Sequence, residues 1–580
     1  MTNFDIARIL SEVGEYLAMV DTPFKPRAYE KAGALIRGTE KPLAEIYAEH
    51  GMKGLTQLPG IGISIAEHIE ELIKTGKLAY YDELKKKTPV DLPTLTRIEG
   101  LGPRKIKVLY QKLGIKKLAD LEHMAQSGKI RSLEGFGKKS EENILNGITF
   151  VKSSGGRLLL GTAMMYAETV CKRLRQDASV QKIDIAGSIR RRKETIGDID
   201  ILIYSKKPSR VMDLFVSMPE VVRVHAQGIK KSMIRLTSGI DADLRIVSKE
   251  SYGAALNYFT GSKDHNVALR KIAIKKGYTL NEYGLYKREG KKNKEKIIAG
   301  KTEEDIYKKL GLDYIEPEMR EMTGELEHAG KHTLPKLIGY NDVKGDLQVQ
   351  TNWTDGEHSI EAMAVAGMQA GLEYIAITDH TKRLAMTHGL DEAKLRKQMK
   401  VIDAFNNKLA KKGKQFRVLK GTECDILKDG SLDISDEILQ QLDVVGISVH
   451  SHFNLSRSAQ TKRIIRAMEN PYADILFHPT GRRIHKRPPY EVDMTALIET
   501  AKNNGTILEI NAQPERLDLK DEHIRMCVEK GVKMSISSDT HNKHDFSVLV
   551  YGIGQARRGW ATREDIINAY PVEKMLKFLK

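Results

Sequence analysis

The sequence predicts a multidomain chain: a helical N-terminal third, an α+β middle and a C-terminal parallel (β/α)7 barrel. Three observations predict it. A Gly-x-Gly device recurs three times before residue 140, and one apolar strand carries Asp198 and Asp200 in alternation. After Leu347, strand and helix patterns then alternate seven times.

Composition bounds the answer. At 580 residues the chain is too long for one core. No apolar run approaches the roughly 20 residues of a membrane helix, and Met1-Thr2-Asn3-Phe4-Asp5 lacks the regions of a signal peptide. Cys171, Cys424 and Cys527 are isolated, which leaves no disulfide framework and no Cys-rich zinc knuckle. A cytoplasmic, monomeric protein without a membrane partner is expected. Net charge is +17 and pI about 9.3, which favours a polyanionic partner.

In the N-terminal third, Leu58-Pro59-Gly60-Ile61-Gly62 runs into a helix start, as do Ile98-Glu99-Gly100-Leu101-Gly102 and Leu133-Glu134-Gly135-Phe136-Gly137. Paired glycines allow a tight turn and close backbone approach, and the N–H groups beyond them can hold a phosphate. Three copies, at intervals of 40 and 35 residues, in a basic helical segment are hard to read as plain turns. The pattern resembles helix-hairpin-helix motifs, which grip the DNA backbone without reading sequence.

In the middle, Ala186-Gly187-Ser188 precedes a basic tail and then the strand Asp198-Ile199-Asp200-Ile201-Leu202-Ile203. Alternation puts both carboxylates on one face, where they repel unless a divalent cation shares them. The Gly-Ser turn offers N–H groups and a hydroxyl to phosphate oxygens, so a phosphoryl-transfer site is expected. Gly239–Val247 is a further strand that can supply Asp243. Tyr258-Phe259-Thr260-Gly261-Ser262, Asn266 and Arg270 follow.

Taken together, these motifs resemble the family X DNA polymerases, the family of DNA polymerase beta, from the N-terminus to about residue 315. The resemblance implies a nucleotidyltransferase palm with a thumb. It makes Asp198, Asp200 and Asp243 the catalytic, Mg²⁺- or Mn²⁺-binding triad. It assigns Arg157, Gly187, Ser188 and Arg191 to the triphosphate, Tyr258, Phe259 and Gly261 to the sugar, and Asn266 and Arg270 to the base edge and template. Lys25, Gly60, Gly62, Gly100, Gly102, Gly135 and Gly137 become DNA contacts. Where the family has the Schiff-base lysine of its deoxyribose-phosphate lyase, this chain has His68, which cannot form that imine.

In the C-terminal half, strands are expected at 346–351, 374–379, 417–423, 443–449, 473–477, 506–511 and 533–537, with acidic and histidine residues at their C-terminal ends, where such barrels place chemistry. This half resembles the polymerase and histidinol phosphatase (PHP) domain, a trinuclear phosphoesterase fold. The resemblance implies one Zn²⁺ or Mn²⁺ site of Asp355, His380 and His541, a second of Glu423, His450 and His478, and a third completed by Glu423 and Asp539. The family's Asp-Leu-His-x-His reads Asp346-Leu347-Gln348-Val349-Gln350, so both imidazoles of the third site are amides, poorer zinc ligands.

The expected domains are an 8-kDa-like helical domain at 1–85, a second helix-hairpin-helix subdomain at 86–148, a palm at 149–255 and a nucleotide-selection subdomain at 256–318. A charged linker at 319–340 and a PHP barrel at 341–575 complete them. The expected function is gap filling on gapped or nicked DNA from dNTPs, with a metal-dependent 3′–5′ exonuclease and abasic-site endonuclease in the barrel. The rivals are a non-catalytic gap binder and a PHP-type small-molecule phosphatase.

Overall fold

The computed structural model describes every residue except 2, 21, 38, 40–42, 97, 99–100, 154–156 and 288–296. Its N-terminal third is helical, from Asn3–Met19 to Lys138–Ser153, around one apolar core that runs from Ile6 to Val151. Tyr166 of the next unit reaches back and donates to Asp5 Oδ1 at 2.8 Å, both side chains buried.

The palm is a five-stranded sheet ordered Val180–Ile185, Asp198–Ser205, Asp241–Ile246, Lys231–Leu236 and Val221–Gln227. Its central pair is parallel and its other pairs are antiparallel. The thumb helices Tyr252–Thr260 and Lys263–Lys275 lead into a small antiparallel sheet.

The barrel strands lie where the apolar runs put them: Gly345–Val349, Tyr374–Ile377, Arg417–Asp425, Val444–Ser448, Ile475–Leu476, Ile507–Asn511 and Met534–Ser537. All are parallel and in sequence order. A bridge between Val349 and Thr540 brings the first strand's end to the seventh's. Alternation divides the side chains: Tyr374 and Ala376 belong to one apolar cluster, Ile375 and Ile377 to another.

Residues 319–340, expected as a linker, form a packed interface instead. Arg320 is fully buried and bonded to Glu303 at 2.6 Å, and Glu325 is buried against His265 at 2.7 Å. Glu318 binds Arg557 of the barrel at 2.8 Å. The charges of the expected linker are partnered inside. Trp560 of the barrel also joins the thumb core. Among the described residues, no helix is long and apolar enough to cross a membrane.

Candidate active sites

Register builds the palm site. Asp200 lies opposite Asp243 and Asp198 opposite Asp241, so four carboxylates share one face. Ile199, Ile201, Ala242 and Leu244 fill the core behind them. Asp241 is paired separately, with the Arg235 guanidinium at 2.8 and 2.9 Å, and His225 Nε2 lies 3.0 Å from its Oδ1. Burial, then the charges of Asp198 and Asp243, push the Asp200 carboxyl up to about 7. Asp243 Oδ1 is buried with no hydrogen-bond partner, while its Oδ2 lies 3.3 Å from Lys231 Nζ. Crowded carboxylates with an orphaned oxygen fit a divalent cation.

The Gly-Ser turn touches this cluster. Gly187 sits at φ +63°, and a Cβ there would stand 2.1 Å from Asp200 Oδ2, so no other residue fits. The Ala186 N–H donates to the Asp200 carbonyl at 2.8 Å. Gly187–Arg190 forms a short helical turn that presents half-buried Ser188. Arg191 donates to Glu321 Oε1 at 3.0 Å and to the Thr260 carbonyl. Gly261 lies beside that guanidinium. Arg157 is turned onto Thr195, bonding its Oγ1 at 3.0 Å and its carbonyl at 2.6 Å. Tyr258 and Phe259 meet edge to face at 5.1 Å. Asn266 donates to the Tyr258 carbonyl at 2.6 Å, and Arg270 Nε lies 3.3 Å from the Asn266 carbonyl. Sequence reading missed Lys231 and Arg245, whose guanidinium covers the Phe259 ring at 4.3 Å.

Among the described residues, the Gly-x-Gly devices share a pattern of backbone hydrogen bonds. Ile61 N–H bonds Leu58 O, Leu101 N–H bonds Ile98 O and Phe136 N–H bonds Leu133 O, at 3.1, 3.0 and 3.0 Å. The helices that follow open with Ala66, Ile106 and Glu141 N–H on the carbonyls of Gly62, Gly102 and Gly137, at 2.9, 3.1 and 3.1 Å. Gly60 and Gly135 need glycine for their φ of +81° and +82°. An added Cβ at Gly62, Gly102 or Gly137 would meet no protein atom within 4 Å, so each leaves room for another molecule's backbone. Gly100 lies outside the described residues. Lys25 opens the helix Lys25–Arg37. His68 stacks on Tyr80 at 4.9 Å and bonds Tyr29 at 2.8 Å.

At the barrel mouth, Asp355, His380 and His541 offer ligand atoms within 4.8 Å of one another, and so do His380, Glu423 and His450. His380 thus joins both groups, its Nδ1 3.5 Å from Glu423 Oε2, where the sequence assigned it to one. His478 Nε2 lies 2.9 Å from Glu423 Oε1. Burial alone would raise the Glu423 carboxyl, but His380, His450 and His478 hold it well below the usual range. Hydrogen bonds to Asp425 and Glu423 overcome burial at His450 and raise it to about 9. Asp355 does the same for His541, also to about 9. These two groups fit metal ions.

The third position does not fit. Gln350 Nε2 donates to Glu423 Oε2 at 2.8 Å, and Asn511 Nδ2 to Gln348 Oε1 and Asp539 Oδ2, both at 3.2 Å. Arg516 Nε lies 3.4 Å from Asp539 Oδ2. Donors and a guanidinium therefore stand where a cation would face these oxygens. Asp379 is structural, held by Thr351 and Gln398, and exposed His452 joins neither group. Asn511, Arg516 and Asp425 were missed, though Asp425 lies two residues beyond Glu423 on the same strand.

Family models match over residues 1–78 (helix-hairpin-helix domain), 92–148 (SAM-like helix-hairpin-helix tandem) and 255–321 (DNA polymerase beta thumb). DNA polymerase lambda of Rattus norvegicus is 24% identical over 344 residues, covering 55% of this chain and 56% of that protein. A "Probable phosphatase" of Thermoanaerobacter sp. (strain X514) is 28% identical over 247 residues, covering 40% of this chain and 94% of that protein. The DNA polymerase/3′-5′ exonuclease PolX of Bacillus subtilis (strain 168) is 37% identical over 584 residues, 99% of both chains. The chain therefore belongs to the PolX family, family X DNA polymerases that carry a PHP barrel.

Proposed function

We propose that this enzyme fills short gaps in DNA and trims the 3′ end on the same chain. The palm adds nucleotides to a primer, and the barrel hydrolyses phosphodiesters. The placement of Asp200 opposite Asp243, with Gly187 against Asp200, carries the polymerase reading. The carboxylates there would hold Mg²⁺ or Mn²⁺, which would supply charge neutralisation to the triphosphate. Asp198, Asp200 and Asp243 are the metal ligands, and Asp243 also accepts the proton of the primer 3′-hydroxyl. Ser188 and the turn's N–H groups hold the triphosphate with Arg191 and Arg157. Tyr258, Phe259 and Gly261 line the sugar, and Asn266 and Arg270 orient the base pair. Gly60, Gly62, Gly100, Gly102, Gly135 and Gly137, with Lys25, hold the DNA backbone of a gapped or nicked duplex.

In the barrel, Asp355, His380 and His541 hold one metal and Glu423, His380, His450 and His478 another, Mn²⁺ or Zn²⁺ by donor type. Gln348, Gln350 and Asp539, faced by amide donors and by Arg516, hold no third metal. The test is primer extension on gapped DNA with and without dNTPs, in Mg²⁺ and in Mn²⁺. Extension with dNTPs and 3′ shortening without them are expected. A chain that does neither would falsify the reading. Similarity to a phosphatase over the barrel favours a second activity on small phosphate esters. A phosphorylated metabolite hydrolysed faster than a 3′-labelled oligonucleotide would establish it.

A further inference from the structure

The barrel reaches into the palm at the triphosphate turn. Helix Leu549–Arg558 ends on Arg558, whose side chain is 3% exposed. Its Nη1 donates to the Arg191 carbonyl at 2.8 Å and to Glu321 Oε1 at 3.1 Å. Its Nη2 is held by Asp521 on another barrel helix. The next residues are braced too. Arg192 sits at φ +55°, donates to Tyr340 at 3.1 Å and packs its methylenes on Gly554. Glu194 accepts from Arg482 of the barrel at 2.7 Å.

We infer that Arg558 is a positioning residue for nucleotide addition, acting through the Arg191 backbone and through Glu321, and this rests on the polymerase reading above. Two effects combine. Arg558 fixes the carbonyl at the end of the turn that must meet the triphosphate, so the turn is ordered before nucleotide arrives. It also shares the Glu321 carboxylate with Arg191 Nε and with Lys193, whose Nζ lies 3.7 Å from it. Without Arg558, Glu321 is left to Arg191 and Lys193 alone, which ties their charge away from an incoming anion. The barrel thus serves the palm's chemistry besides its own.

The test measures dNTP KM and kcat on gapped DNA for the full chain, with 3′ hydrolysis as a control for the fold. Arg558→Ala is expected to raise KM about tenfold, with kcat within about threefold and hydrolysis unchanged. Arg558→Lys, which keeps one donor, should fall between. Adding Glu321→Gln to Arg558→Ala should recover part of the lost affinity by releasing Arg191, a rescue that a merely structural role would not give. If Arg558→Ala does not fold, Arg558→Lys and Glu194→Gln carry the test, with the same KM-specific rise expected. KM unchanged in variants that extend primers overturns the inference, as does a fall in kcat alone. A wild-type chain unable to extend primers overturns the polymerase reading instead.

Discussion

At the scale of single residues, Asp200, the pair Gln348 and Gln350, and Glu303 each carry a sharp test. Asp200 is crowded by Asp198 and Asp243 and touches Gly187. Asp200→Ala should abolish primer extension while gapped-DNA binding stays within a few fold, since the backbone grip lies elsewhere. Extension near the wild-type rate would sink the assignment. Gln348 and Gln350 can be replaced by histidines. The paired change should raise bound metal after dialysis and speed hydrolysis, because imidazoles would replace the Gln350 donor now aimed at Glu423. Unchanged metal content would show that the amides cost nothing. Glu303 gives the pH dependence. Burial opposes its charge, but Arg320 and Arg190 outweigh it and hold the carboxyl down to about 2, against a usual 4.5. A depressed carboxylate contributes stability that is complete above about pH 4.5 and lost as pH falls toward 2, on the order of 3 kcal/mol. Urea unfolding of wild type and Glu303→Gln should therefore differ most near pH 7, still differ near pH 3, and converge only at or below about pH 2.

At the scale of elements, the three Gly-x-Gly turns make a separable prediction. Gly62→Ala and Gly137→Ala should each weaken gapped-DNA binding severalfold while changing stability by less than about 1 kcal/mol, because the added methyl meets no protein atom. A filter-binding series across salt checks it, and affinity equal to wild type would mean that DNA does not approach there. The turns and barrel strands were legible because each obeys a local rule: paired glycines before a helix, or a short apolar run that in most cases leads into an acid or histidine. The segment 319–340 was not. Its Arg320, Glu321 and Glu325 look solvated until partners distant in sequence, Glu303, Arg558 and His265, are brought to them. Asp198 and Asp200 could be placed on one face from alternation alone, but their opposition to Asp243 needed the parallel pairing across an intervening hairpin. Likewise the sharing of His380 between two metal groups follows from how neighbouring strand ends converge, which spacing along the chain does not encode.

For the molecule as a whole, palm and barrel carry separate sites joined by a charged, buried seam. His541→Ala should remove 3′ hydrolysis and leave primer extension intact, since His541 pairs with Asp355 inside the barrel. Loss of both activities would show that the sites are not independent. The seam has a consequence for how the enzyme is made. Translation proceeds at about 5–20 residues per second, so the ribosome reaches Arg558 tens of seconds after it has passed Arg191. The parallel barrel closes through Val349 and Thr540, so it cannot be complete until its seventh strand has left the tunnel. Palm and thumb therefore emerge with the carbonyl of Arg191 and the carboxylates of Glu194 and Glu321 still waiting for arginines not yet synthesised. A nascent chain interrupted between the two holds Asp198, Asp200 and Asp243 but lacks Arg558, so on the proposals above its grip on nucleotide would mature last.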